Sequence, residues 1–274
     1  MSETRVTSAA SVSGIGATVD DLVTGWRMGD VWRTFAWDEI QSRYRRSALG
    51  LSWIAISYLI FVGGISLFFG GFSSKSGAGF VHHVAIGYAA IMFMIGNLSE
   101  GCAVFRGSAS WIQSTSMPYS VYVYKGIARS SFPFVIQLSI ALTVMVFTGW
   151  RPTLMVLWAI PALAMILITS IAVQLALGFI GARFRDVQHL ILSVQRLLIF
   201  ITPVLWVLEE REGMIRAIAM VNPFTHYLQV FRAPLLGDMP DPLSVLAVLG
   251  LTVAAWALAL VVSSRMRKRL PFWI

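Results

Sequence analysis

A single cysteine, Cys102, stands in the whole sequence, so no intrachain disulfide can form and no thiolate metal cluster is suggested. Charge is equally scarce: Asp, Glu, Lys and Arg make up 12% of the 274 residues, where soluble domains carry roughly a quarter. A soluble fold of this length has no way to hide a composition that is 57% hydrophobic. The phosphate-cradling pattern G-x-x-x-x-G-K-[ST] is absent, which removes ATP chemistry by that route. His82 and His83 are adjacent with no acidic or cysteine partner nearby, a poor metal site, and read as outer-interface residues. His189 and His226 are isolated, and no metal is expected. Carboxylates do not pair inside the apolar stretches, so a proton relay lacks its usual members. Glu209, Glu210 and Glu212 read as a solvated outer cluster. No catalytic constellation appears, and the chain is read as a non-enzyme. Residues 1–25 are rich in Ser, Ala, Gly and Thr without an apolar core of signal-peptide length. They are expected to form a disordered tail.

What is present is long apolar sequence. Leu51–Phe72, Ser130–Trp150, Pro152–Ala182 and Leu243–Ser264 lack charge over the roughly 20 residues that cross a bilayer. Val81–Val104 and Val187–Leu208 complete an expected set of six spans. Glu100 and Arg196 interrupt these two, near ends where a long side chain reaches the headgroups. The net charge of +8 does not read as a nucleic-acid surface, because the basic residues punctuate the ends of the apolar runs. With six spans and the N-terminus inside, sixteen of the 21 Lys and Arg residues fall on the inner side. That bias predicts both termini in the cytoplasm.

Asp30–Arg46 precedes the first span. Val31, Trp32, Phe35, Ala36, Ile40 and Tyr44 recur at three- and four-residue steps, one apolar helical face. Asp30 is the expected N-cap, Glu39 is placed to pair with Arg43, and the helix is expected to lie in the membrane interface. Near the other end, Glu209–Pro242 is long for a loop yet largely apolar. Pro223 disfavours helix at Asn222 and divides the stretch into two short helices. Each is too short to span, so both are expected to dip into the outer leaflet as re-entrant pieces.

RYRRSALGLSW (Arg43–Trp53) sets three arginines, Ser47 and Gly50 where the interfacial helix must turn into a span. On charge alone, these arginines read as topological anchors attracted to anionic lipid. Capture of a substrate phosphate by their guanidinium forks is the alternative. The segment, followed by an aromatic-rich span, resembles the N-terminal signature of type-2 ABC exporter permeases for polysaccharides, the O-antigen, capsule and teichoic-acid exporters. GARFRDVQHLILSVQRLLIFITPVLW (Gly181–Trp206) is similar to that family's boundary between the fourth and fifth spans. NPFTHYLQVFRAPLLG (Asn222–Gly237) is similar to its outer re-entrant region.

The resemblance implies an all-α, six-span permease domain over 26–274 in the bacterial inner membrane. Such a subunit dimerises and sits on two copies of a separate ABC ATPase, which binds the ATP and Mg. Its cargo is a lipid-linked polysaccharide, most nearly of O-antigen type, and membrane lipids surround it. By position, Arg43, Arg45, Arg46, Ser47, Gly50 and Trp53 would form the substrate entrance. Tyr58, Phe61 and Phe68 would line the sugar path. Arg106, Trp111, Met117 and Pro118 would dock the ATPase. Arg183, Arg185 and Asp186 would mark a second cytoplasmic boundary, and Asn222, Pro223 and Arg232 an outer gate. The docking stretch GSASWIQSTSMPYS is nearly uncharged, where relatives often carry basic residues before the proline. A type-2 permease for a small hydrophobic molecule and a membrane enzyme for lipid-linked sugars are the competing readings.

Overall fold

A computed structural model describes residues 14–45, 48–73 and 77–274. The described residues form eleven α-helices joined by short 3-10 turns, without strands. They are α1 (Ile15–Arg27), α2 (Gly29–Tyr44), α3 (Ser52–Phe69), α4 (Ala78–Ala103), α5 (Ala109–Ser114) and α6 (Tyr119–Phe147). After these come α7 (Ala159–Arg183), α8 (Asp186–Ile201), α9 (Gly213–Val221), α10 (Pro223–Leu236) and α11 (Pro242–Met266). Five are long and apolar enough to cross a membrane: α3, α4, α6, α7 with its leading turn, and α11 with its trailing turn.

The expected fifth span is the one that differs. Its helix, α8, has 16 residues, about 24 Å of rise, short of a hydrocarbon core of roughly 30 Å. Thr202 turns extended just before Pro203, a residue that disfavours helix in its predecessor. The chain then runs in irregular backbone through Val207.

α4 is the centre of the molecule, packed against α6 and α7 and flanked by α3 and α8. Phe80, Val84, Ile86, Ile91 and Phe93 along it are buried. Small residues let the α7 backbone come close. A Cβ on Gly181 would strike the Cys102 carbonyl, and one on Gly101 would lie 3.0 Å from Gln174 Cα, the small-residue packing that membrane helices use. Where α4, α6 and α7 meet, Asn97 Oδ1 accepts from Gln174 Nε2 at 2.6 Å and from Ser130 at 2.9 Å. Farther along, Thr169, Tyr227 and Thr252 join their hydroxyls at 2.8–3.0 Å. These polar groups of the apolar bundle find partners in one another.

The connections gather at two ends. At one end, Trp150 Nε1 donates to Leu235 O at 2.8 Å, His82 meets Thr148 at 2.6 Å, and Ser73 donates to Glu210 at 2.7 Å. At the other, α1, α2, α5, the start of α6 and the C-terminus meet.

Three N-terminal expectations are corrected: the disordered start, the Asp30 cap and the Glu39–Arg43 pair. The chain is helical from Ile15, so the disordered reading fails for residues 15–25; residues 1–13 lie outside the described residues. Thr18, Asp21, Leu22 and Gly25 form the inward stripe of α1, with Thr18, Asp21 and Gly25 buried. Two of these are polar and one is glycine, so hydrophobic periodicity hid the helix. The apolar stripe predicted for α2 exists, with Ala36 and Ile40 buried, but it packs on α6. Asp30 lies in the first turn of α2, not at its cap, and Glu39 pairs with α6 and not with Arg43. α6 itself begins at Tyr119, eleven residues before the apolar run. Its Lys125 and Arg129 find carboxylates there.

Candidate docking and entrance sites

The stretch 106–118 is a protruding turn of structure braced from several sides. α5 buries none of its six residues. Trp111, 48% exposed, packs its ring against Phe35 of α2, tilted by 39° with ring centres 4.8 Å apart. Gln113 Nε2 donates to the carbonyl of Ile274 at 2.8 Å, and Arg106 donates to Gln188 of α8. Met117 and Pro118 are half-buried, and Pro118 leads into α6 in an extended conformation. Ser110, Ser114, Thr115 and Ser116 stay exposed. The result is an uncharged, hydroxyl-rich face on a fixed base.

Beside it lies an ionic cluster. Lys125, buried, donates to Glu39 at 2.6 Å and to Ser108 at 2.9 Å. Arg129 pairs with both Glu39 and Glu100. Burial pushes the Glu39 carboxyl up, but the hydrogen bonds and charges of Lys125 and Arg129 outweigh it and hold the group below its usual range. The cluster closes one side of a cleft of about 180 Å³ between α4 and α6. Arg43, Glu100, Arg129 and Gln137 supply its polar part, and Phe93, Pro133 and Phe134 its apolar wall.

The predicted entrance residues separate here. Arg43 reaches this cleft and makes no ion pair among the described residues. Arg45 is exposed at the end of α2. Arg46 and Ser47 lie outside the described residues. Gly50 has φ +51° with open space around it, so it makes the bend into α3 at a backbone conformation that L-residues disfavour. Trp53 is exposed in the first turn of α3.

The three path aromatics also part company. Tyr58 is 2% exposed and donates to Ala85 O at 2.8 Å; it is a core residue, and its assignment to a path is corrected. Phe61 stacks on Tyr88 at 3.9 Å. Phe68 is exposed. At the opposite end of the molecule, Asn222 ends α9 and caps α10 by accepting from Phe224 N at 3.1 Å. Its Nδ2 donates to Thr202 Oγ1 at 2.8 Å, with Pro223 at the first helical position of α10. Arg232, buried, donates to Pro203 O at 2.7 Å and stands 3.0 Å from His83 Nε2. Two of the predicted gate residues, Asn222 and Arg232, therefore fasten α10 to the break after α8, and Pro223 opens the helix between them. Arg183 lies over the Trp273 ring at 5.3 Å, while Arg185 and Asp186 open α8 and are exposed. Among the described residues no group of three or more metal-ligating side chains converges.

Residues 30–236, from α2 to the end of α10, match the sequence model of the family described as ABC-2 type transporter. The chain belongs to that family. This ABC-2 permease is also 25% identical over 234 residues to the O-antigen export system permease protein RfbA of Myxococcus xanthus, a stretch covering 83% of this chain and 89% of the relative. The family and the five apolar helices make it a multi-pass membrane protein and a transporter's membrane subunit. The sequence reading of the ABC-2 permease missed Asp21, because it falls in the supposed tail. It also missed Glu39 as the partner of α6, because that pairing bridges 86 and 90 residues and leaves no local pattern.

Proposed function

We propose that this ABC-2 permease exports a lipid-linked polysaccharide of O-antigen type from the cytoplasm across the inner membrane. In this reading two copies form the conduit, and each docks an ABC ATPase that binds and hydrolyses the ATP. The similarity to an O-antigen export permease over most of both chains is the observation that carries the cargo class. The braced, exposed α5 supports docking there. Arg43 offers a guanidinium without an ion pair among the described residues, beside a cleft whose wall is aromatic and aliphatic, a fit for the phosphate and first lipid units of the carrier. Six crossings with both termini inside are supported by the basic-residue bias. They are also supported by contact between α1 and the C-terminal end, since touching termini need an even number of crossings.

Docking is tested by Trp111→Glu. A buried or interfacial carboxylate in place of the indole should cut both ATPase copurification and substrate-stimulated hydrolysis, with membrane abundance unchanged. Unaltered values for both would take α5 out of the interface.

A further inference from the structure

α1 and the C-terminal cap lie outside the matched family region, yet they grip the base of the docking face. The Asp21 carboxylate accepts from the backbone N–H of Tyr119 at 3.0 Å and of Ser120 at 2.8 Å. These are the first two residues of α6, directly after the docking stretch, where unpaired N–H groups and the positive end of the helix dipole favour an anion. The same carboxylate meets Arg267 Nη2 at 2.7 Å. Ser120 Oγ donates back to Asp21 O at 2.6 Å, and Tyr124 Oη donates to Leu22 O at 3.1 Å. Thr18 and Ser263 join their hydroxyls at 3.1 Å. Gly25 lets α1 sit so close that a Cβ there would collide with Ser120 Oγ. On the far side, Gln113 of α5 holds the C-terminal Ile274.

We infer that α1 is a clasp, with Asp21 its positioning residue, which makes the docking helix, the start of α6 and the end of α11 move as one body. Motion imposed on α5 then reaches two membrane helices at once, α6 through its capped first turn and α11 through Arg267 and Ser263. Without the clasp, α5 keeps its contacts to Phe35 and Ile274, but the first turn of α6 after Met117–Pro118 loses its cap and its tie to α11, and ATPase motion is absorbed there. This inference rests on the docking reading above.

The test uses the full-length permease with its ATPase in vesicles, measuring polymer exported per ATP hydrolysed. Asp21→Ala removes the cap and the ion pair; Gly25→Val wedges α1 from α6 without removing a hydrogen-bonding side chain. Each should lower the export-to-hydrolysis ratio roughly two- to thirtyfold, with ATPase copurification retained. Rescue separates coupling from folding. In a Cys102→Ala background, Thr18→Cys with Ser263→Cys re-fastens α1 to α11 when oxidised. It should restore the ratio in Asp21→Ala and lose it again on reduction. A ratio at the parent level in both Asp21→Ala and Gly25→Val overturns the clasp, as does a lowered ratio that the disulfide leaves unmoved. Should Asp21→Ala fail to accumulate, Gly25→Val decides alone: a ratio at the parent level overturns the clasp, and a lowered ratio with ATPase copurification retained upholds it. If the parent protein itself neither binds nor stimulates the ATPase, the docking reading fails, and that outcome is distinct from the others.

Discussion

At the residue scale, the arginines before α3 show what charge pattern can and cannot say. Three guanidinium groups at a membrane boundary are visible in sequence, but only the fold distinguishes Arg43, at the cleft, from Arg45, at an exposed helix end. Anchoring needs positive charge alone, whereas phosphate capture uses the fork geometry that lysine lacks. Arg43→Lys should therefore cut export severalfold at normal membrane abundance, while Arg45→Lys leaves it near the parent level. Equal export from both variants and from Arg46→Lys would return the arginines to a topology signal. Glu39 carries a second prediction. Its carboxyl is held below the usual range by Lys125 and Arg129 against the opposing effect of burial. A depressed pKa contributes stability above the unfolded value, near 4.5, and that contribution is lost as pH falls through the folded value. Glu39→Gln leaves the buried Lys125 without its charge partner, at a cost of roughly 1–3 kcal/mol at neutral pH, discounted toward the lower figure because Glu39 is a third exposed. Thermal unfolding in detergent should show this loss at pH 7 and a narrower gap between the two proteins on the acid side of pH 4.5. A gap that stays constant with pH would mean that the pair is not the source.

At the scale of elements, long apolar runs announced α3, α6, α7 and α11 to within a few residues where their ends coincide with the end of the run. They failed where a helix continues on polar residues. α6 extends back to Tyr119 because Pro118 precedes it, Asp21 caps it, and carboxylates on α2 and α4 neutralise Lys125 and Arg129; none of those partners is local. α1 was hidden by a small and polar inward stripe that only makes sense against Ser120 and Ser263. In contrast, the division at Asn222-Pro223 was legible, since both capping and the proline restriction act over two or three residues. The hairpin α9–α10 supplies its own prediction. Asn222→Ala removes the α10 cap and the bond to Thr202 together, and should destabilise the protein by roughly 1–3 kcal/mol. Thr202→Val should cost less, and the double variant should cost less than the two single losses combined, since they share one bond. Strict additivity in thermal unfolding would show that Asn222 acts through the cap alone.

At the scale of the whole molecule, the question is how many times the chain crosses the membrane. Five helices pass on length and composition, and α8 falls short on length, because Thr202–Pro203 ends it after 16 residues. Its position argues for a crossing all the same. Gln188, in its first turn, bonds Arg106 beside the proposed docking face. The carbonyl of Trp206, just past its end, lies against His83 at the opposite end of α4. About 24 Å of helix followed by irregular backbone, buried at Val204 and Val207, covers that distance without exposing unsatisfied backbone to lipid. A chain crossing five times would put Arg185 and Asp238 on one side and its two ends on opposite sides, although Asp21 and Arg267 are in contact. Six crossings put Arg185 and Asp238 on opposite sides. Both are exposed, so single cysteines there, in a Cys102→Ala background, report accessibility directly. With an impermeant maleimide on intact cells, Asp238→Cys should be labelled, and Arg185→Cys and Ser114→Cys should be labelled only after the membrane is opened. The same answer from Arg185→Cys and Asp238→Cys, both protected with the N-terminus inside or both labelled with it outside, would reduce the count to five and place α8 on the membrane surface. Labelling of Arg185→Cys and Ser114→Cys with Asp238→Cys protected would keep six crossings and reverse the orientation that sixteen basic residues predict.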